Sequence, residues 1–499
     1  MPSWRILLRF TRRGFVRGAA AVAAAAGLGT GFQPTLASAK QDDERRSGRW
    51  VTGDFHTHTW LTDGSHTQVD VVSHAFQYGL DWMANSEHGG ISVRMPDGTP
   101  FPSPVWRWIT LKDYSYPIIQ DLRKQYRSKL LVQGLEWNVP THEHASVGIV
   151  ADEPKAISDF EYMFDQSDKD TSRASEGLPK LNKTHANAVA GAKWLYDHYR
   201  TSSYYILNHP SRKLLYTATD IRDFIDAAPG VAIGLEGFPG HQKEAWRGGY
   251  GGSYGDNTYK ARTYGGADLM LAKVGGLMDS LWGEGRKYWV FVNSDFHSSD
   301  DDADFWPGEY AKTYTYINGG SYRDLIAGLR SGNSFIVHGD LINALDFSAR
   351  SKGESATMGQ TLRVDKGDNV HIKIRFRCPA TNNSGARVDV DHIDLIAGHL
   401  TGPYADRAKD TNESAQVVRR FARRDWDRDD GWYVITYQVQ KAAKSQYFRL
   451  RGTNLGVGVP NETDANGNPL IDDLVAPNTI AKAYADLWFY SNPIFVKVI

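Results

Sequence analysis

The sequence predicts an α/β fold, a barrel or an open parallel sheet, followed by a C-terminal β-sandwich. Two textures carry that expectation. Up to about residue 345, short apolar runs alternate with amphipathic stretches, the pattern of a sheet wound from βα units. Beyond it, period-2 runs separated by turns rich in Asn, Gly and Asp take over. At 499 residues the chain is also too long for one ordinary domain, which suits two folded units.

The first 39 residues stand apart. They hold five Arg and no acid, an Ala- and Gly-rich apolar run, and a small-residue end at Leu36-Ala37-Ser38-Ala39. This reads as an export signal, with Arg12-Arg13 before Gly14-Phe15 as the twin-arginine pattern. The rival is a membrane anchor, but the apolar run is shorter than the ~20 residues a span requires and is diluted with Gly. A periplasmic or secreted destination is expected, with no stable membrane insertion once the signal is removed. Twin-arginine export carries folded proteins, and a cofactor loaded before export is the usual reason, so the signal itself points to metal. At that destination the lone Cys378 can form no internal disulfide. Without the five signal arginines the chain keeps 52 basic and 58 acidic residues, and a formal charge of −6 disfavours nucleic acid as a partner.

A polar linker, residues 40–49, leads into an expected catalytic unit at 50–345. Its candidate strands are Val51–Phe55, Leu80–Asn85, Leu130–Glu136, Ser146–Val150, Tyr204–Asn208, Val231–Glu236 and Tyr288–Asn293. Amphipathic stretches at Val69–Tyr78, Ala186–Arg200 and Ala267–Leu281 are the candidate helices. The expected β-sandwich, 346–499, carries strands at His371–Arg377, Val388–Ile396, Trp432–Val439, Tyr447–Arg451 and Leu487–Val498. Gly248 to Gly255 reads as a mobile loop whose tyrosines, with Arg247, border a cleft.

Chemistry-bearing residues fall where nearly every candidate strand of the first unit ends. VTGDFHTH supplies His56 and His58, MANSEHGG supplies Glu87 and His88, VQGLEWN supplies Glu136, YYILNHP supplies His209, and VFVNSDFHS supplies Asp295 and His297. In barrels and parallel sheets, ligands bind at the carboxyl ends of the strands, so these groups should converge. Residues at i and i+2 of an extended segment share a side, so His56 and His58 can grip one metal, and Asp295 and His297 repeat the geometry. Glu136 can bridge two cations with its two oxygens. By contrast His66, His74, His185, His198, His371, His392 and His399 do not sit at strand ends of the first unit and are given no site role. The run Ser298 to Asp304, SSDDDAD, lacks the spacing of a calcium loop and reads as a solvated acidic turn.

The ordered set HTHTWLTDGS, SEHGG, GLEWN, NHP and SDFH resembles the polymerase and histidinol phosphatase (PHP) superfamily over residues 50–340. The resemblance implies a distorted (β/α)7 barrel and a centre of two or three divalent metals, Mn, Zn or Fe. By position, His56, His58, Glu136 and Asp295 would hold the first metal, with Glu136 bridging to a second on His144 and His209. Asp63, which stands where some relatives have a histidine, would hold the third with His88 and His297. HEHASVGIV offers His142 as well as His144, and the apolar run after His144 favours the latter. SGNSFIVHGDLI and YSNPIFVKVI resemble an exported PHP subgroup that includes carbamate-hydrolysing relatives with a β-rich C-terminal domain.

Such a centre supplies a nucleophilic water at neutral pH, held between two metals as a bridging hydroxide, and hydrolysis of a small-molecule phosphoester is its natural use. Asp295 is the candidate to orient the water or accept its proton. Arg212 is a candidate phosphate clamp and His241 a candidate proton donor to the leaving group. Glu236 and Glu87, also at strand ends, are expected to support the ligands rather than to bind metal. A phosphodiesterase leads; a phosphomonoesterase, a carbamate or carboxylic ester hydrolase, and a noncatalytic envelope or glycan-binding protein are the alternatives.

Overall fold

The computed structural model describes residues 48–244, 246–251, 258–300, 304–472 and 479–499. The expected export signal and all of the linker except Gly48 and Arg49 lie outside the described residues, as do residues 252–255 of the glycine-rich stretch.

Seven strands lie side by side in the order in which they occur in the chain. They are β1 (Arg49–Asp54), β2 (Trp82–Ala84), β3 (Leu130–Asn138), β4 (His144–Ile149), β5 (Ser203–Leu207), β6 (Ala232–Phe238) and β7 (Trp289–Val292). Each overlaps one of the strands the sequence predicts. Neighbours run parallel except around β4, which is antiparallel to both β3 and β5. Just past their ends, the first and last strands meet: Thr57 bridges Phe296, and the His58 amide donates to the Phe296 carbonyl over 2.8 Å. The ends that carry the chemistry-bearing residues are therefore brought to one place.

These strands form because their runs are apolar on both faces. Every residue of β5, SYYIL, is buried, as are all of AIGLEGF in β6 and WVFV in β7. Several of the helices are started by a local signal. Thr67, Thr217 and Ser321 cap the helices Gln68–Gln77, Ala218–Ala227 and Tyr322–Ser331, each with an Asp three residues on closing a capping box. The expected helix at Ala267–Leu281 is instead two short ones, Leu269–Ala272 and Leu277–Gly283, because Gly275 between them takes φ +78° and breaks the run.

On its other edge β1 pairs antiparallel with Ala311–Ile317, and the sheet continues through Ser334–His338 into C-terminal strands Trp488–Ser491, Gln446–Thr453, His392–His399 and Gln416–Ala422. A second, five-stranded antiparallel sheet is built around Ala344–Ser351, Val370–Arg377 and Trp432–Val439. The boundary expected after residue 345 falls inside a strand, and the chain from residue 47 onward groups as one compact unit. Leu487–Val498 divides into two strands around Asn492-Pro493, where proline has no amide to donate.

Arg247 does not border a cleft. It is buried, with Nη1 2.5 Å from Asp486 and 3.2 Å from Asp472 and Nη2 donating to the Tyr310 hydroxyl, so it ties its loop to the C-terminal region. Among the described residues no helix is long and apolar enough to cross a membrane.

Candidate metal centre

The segment after β1 continues its alternation, so Asp54, His56 and His58 are successive members of one face. Each is fully buried. His56 Nε2 lies 3.0 Å from Glu136 Oε1 and 2.9 Å from Asp295 Oδ1, while its Nδ1 faces Glu236 Oε1 at 2.7 Å. His58 Nε2 lies 3.3 Å from Glu136 Oε2 and 3.2 Å from Asp295 Oδ1. Glu136, near the end of β3, is thus at the middle, and His88, His144 and His209 reach it over 2.7, 3.0 and 3.2 Å. Asp63 stands at the outer edge, 3.4 Å from both His88 Nε2 and His297 Nε2 and 3.7 Å from His58 Nδ1. All nine residues expected to hold metal converge here. His144 faces the cleft, whereas His142 turns away from it to meet His185.

Three of the loops that deliver these groups are strained. His209, His241 and Asp295 adopt φ of +29°, +54° and +48°, a region that side chains other than glycine occupy at a cost of about 1–3 kcal/mol each. Buried hydrogen bonds hold them there. The His209 amide donates to Glu236 Oε2 over 2.7 Å, and the His241 amide to the Ser294 carbonyl over 3.2 Å.

Groups not singled out as site residues complete the frame. Asp54 takes the His56 amide on one oxygen and the Ser294 amide on the other, so it clamps the two metal-type segments together; burial pushes its carboxyl up to about 7 against those bonds. Its place at i−2 of the His-x-His pair was a readable signal. Asp304, the last residue of SSDDDAD, departs from the reading of that run as a solvated turn: it is buried, accepts the His297 amide over 2.7 Å and lies 2.6 Å from His241 Nδ1, while Asp300 is exposed and residues 301–303 lie outside the described residues. Glu143 is buried and receives Arg212 Nη2 at 2.8 Å and Lys213 Nζ at 3.1 Å. Nothing in its local sequence set it apart from a surface acid. Glu87, expected as a support, holds the segment leading to Asp63 through the hydroxyls of Thr59 and Thr62, at 2.6 and 2.5 Å.

The charges are strongly polarised. Burial opposes ionisation of Glu136 and Asp295, yet the surrounding imidazoles hold both well below the usual carboxylate range. Burial also opposes protonation of His88, but Glu136 and Asp63 outweigh it and raise it to about 10. His58 goes the other way, pushed down to about 3 by burial and by His297 and His88 beside it. His241 is held cationic between Asp295 and Asp304 against its burial.

The donor set fits divalent cations. His58 Nδ1 and Nε2, His88 Nδ1, Glu136 Oε2, His209 Nδ1 and Asp295 Oδ1 are buried with no hydrogen-bond partner. Buried polar atoms are ordinarily paired, and here imidazole nitrogens and carboxylate oxygens face one another without the alignment of hydrogen bonds. Overlapping sets among the described residues could each hold a cation, among them His56, His58 and Glu136; His56, His209 and Asp295; His88, Glu136 and His144; and His58, Asp63, His88 and His297. All imidazole and carboxylate, they suit Mn, Zn or Fe. The cleft above them encloses about 410 Å³, and Arg212, Lys213, His241 and Glu244 line it with the ligand-type residues.

No family model matches the chain, and no curated protein matches it. One solved structure it resembles is a two-domain protein from Bacteroides vulgatus containing a predicted PHP-like metal-dependent phosphoesterase. The two are 12% identical over 85% of this chain and 95% of that one, with a TM-score of 0.37. A superposition that loose carries no weight for the fold or the chemistry, which rest on the geometry above.

Proposed function

We propose that the cleft is a divalent-metal centre of the PHP kind, set in a distorted (β/α)7 barrel, and that it hydrolyses phosphoesters, small phosphodiesters above all. One observation carries the reading: nine imidazole and carboxylate side chains from several strand ends and loops converge, and six of their buried atoms lack any hydrogen-bond partner. His56, His58, Glu136 and Asp295 would hold one cation, Glu136, His144 and His209 a second, and Asp63, His88 and His297 a third. Bound there, divalent cations supply Lewis acidity and an activated water.

The chain's own residues supply the rest. Arg212 lines the cleft with Nε unpartnered, and Lys213 stands beside it, so an anionic group meets two cations at the rim. His241, cationic between two carboxylates, can give a proton to the leaving oxygen. Asp295, kept ionised, orients the attacking water more readily than it takes a proton.

A carbamate or carboxylic ester hydrolase is the second reading, favoured by Glu143. That single carboxylate faces both Arg212 and Lys213, so the rim carries a net charge of only about one and a neutral substrate is not repelled. Assays of the full chain against an aryl phosphodiester, an aryl phosphomonoester and an aryl carbamate separate the readings. We expect diester turnover to dominate, to vanish on chelation, and to fall about 10-fold or more in Arg212→Met, the loss of one charge-assisted contact. Carbamate turnover without diester turnover, indifferent to Arg212→Met, would replace the first reading by the second.

A further inference from the structure

On the side of the β3–β4 loop away from the cleft, His142 Nε2 and His185 Nδ1 face each other at 2.9 Å. The tautomers follow from their other contacts. His142 Nδ1 lies 2.8 Å from the Leu215 carbonyl, which can only accept, so the proton of a neutral His142 sits on Nδ1 and Nε2 is a bare lone pair. His185 Nε2 lies 3.1 Å from Asp223 Oδ2, and the other oxygen of that carboxylate faces Arg407 Nη2 at 2.6 Å, so Asp223 meets the imidazole as an acceptor. His185 therefore carries its proton on Nε2 and turns a second lone pair toward the first. Asp220 adds a third donor. Its Oδ2 is engaged in the capping box with Thr217, while its Oδ1 is 3.5 Å from His185 Nδ1.

Two lone pairs and a carboxylate oxygen pointed at one place make a donor set that a divalent cation can take. We propose that His142, His185 and Asp220 form a second divalent-cation site of the zinc type, with solvent completing the coordination. The ligand atoms lie within 4.8 Å of one another. Two nitrogens on a tetrahedral zinc stand roughly 3.3 Å apart, a few tenths beyond the spacing here. His185 is a third exposed at its side chain, so it can open by that amount and solvent can reach the metal. The support around the ligands is of the kind metal sites use: a carbonyl behind one imidazole, a carboxylate behind the other. His142 is further held flat on the Tyr216 ring, with centroids 5.1 Å apart and planes at 8°.

The site would join three elements: the loop that delivers Glu143 and His144 to the cleft, the start of the helix His185–Tyr199, and the helix Ala218–Ala227. Its role is to anchor that loop, and it does not depend on what the cleft binds.

The test is the zinc content of the full-length protein after equilibration with micromolar Zn²⁺, compared between the unaltered chain and His185→Ala, with melting curves confirming that both fold. His185→Ala should lose one zinc per chain, and Zn²⁺ should raise the melting temperature of the unaltered chain more than that of the variant. Equal zinc content in the two folded proteins would overturn the proposal, leaving a proton shared between the imidazoles. Anomalous scattering at the zinc edge from crystals of the unaltered chain needs no variant. A peak between His142 Nε2 and His185 Nδ1 is expected, and its absence at saturating Zn²⁺ would be equally decisive against the site.

Discussion

Glu236 Oε1 stands 2.7 Å from His56 Nδ1 while its Oε2 accepts the His209 amide, so one buried carboxylate sets the ring of one site histidine and the backbone of another. Supports of this kind typically contribute 10- to 100-fold to metal affinity or activity. Glu236→Gln should therefore weaken metal binding and turnover by about 10- to 100-fold with little change in stability; isothermal titration with Mn²⁺ against the unaltered protein checks it, and an unchanged affinity would remove the role. Glu143 gives a pH signature. Burial opposes its charge, but His209 and Arg212 outweigh that and bring it down to about 2 from an ordinary 4.5. A depressed carboxylate stabilises the fold above its unfolded value and loses that contribution as pH falls through its folded one. Glu143→Gln should accordingly be less stable than the unaltered chain above pH 5, with the gap closing between about 4.5 and 2. Urea midpoints measured across that range would expose a gap that fails to close. At this scale His56, His58, His88, Glu136, His209, Asp295 and His297 were legible because they sit at the ends of apolar runs, while Asp63 and His144 were reached through the family resemblance. Glu143 and Asp304 were not: their roles come from loops folding back, and no local pattern marks a buried acid in a polar segment.

The elements deliver the site through loops pressed together more closely than side chains allow. A Cβ on Gly240 would lie 2.1 Å from the Asp295 Cβ and 2.3 Å from the Ser294 carbonyl, so the loop after β6 reaches the loop after β7 only as glycine. Gly240→Ala should cost about 1–3 kcal/mol, as overpacking does, and displace Asp295. Chemical denaturation together with metal content measures both, and an alanine variant within 0.5 kcal/mol that keeps its metals would contradict the close approach. Strand positions were legible for the same reason they form: SYYIL or WVFV buried on both faces leaves no other reading. The antiparallel setting of β4 was not, since a buried run carries no direction. The broken helix at Gly275 was missed because its apolar spacing continues across the break.

Across the whole molecule, the C-terminal β-rich region is joined to the site-bearing part by a shared sheet and by buried ion pairs. Arg449 in Gln446–Thr453 takes both oxygens of Asp279, in the helix Leu277–Gly283, at 2.8 Å each, and the Tyr447 hydroxyl donates to the same carboxylate. Neither side chain sees solvent, so Asp279→Ala would strand a buried guanidinium and should destabilise the protein by about 3–5 kcal/mol. An unfolding free energy from urea titration lowered by less than about 1 kcal/mol would show the two regions held by the sheet alone. The change of texture near residue 345 was legible as a change from βα units to period-2 strands. That Ser334–His338 would pair with Trp488–Ser491 was not, because pairing across so long a separation leaves no trace in either segment.

The most direct test of the central claim is the metal content of the purified full chain and of His58→Ala, with hydrolysis of an aryl phosphodiester measured on the same samples. The cleft's geometry predicts two or three divalent metals in the unaltered protein, beyond any zinc on His142 and His185, and loss of both cleft metal and turnover in His58→Ala. A chain that binds no metal in the cleft after incubation with Mn²⁺ or Zn²⁺, or a His58→Ala variant with unchanged turnover, would contradict it.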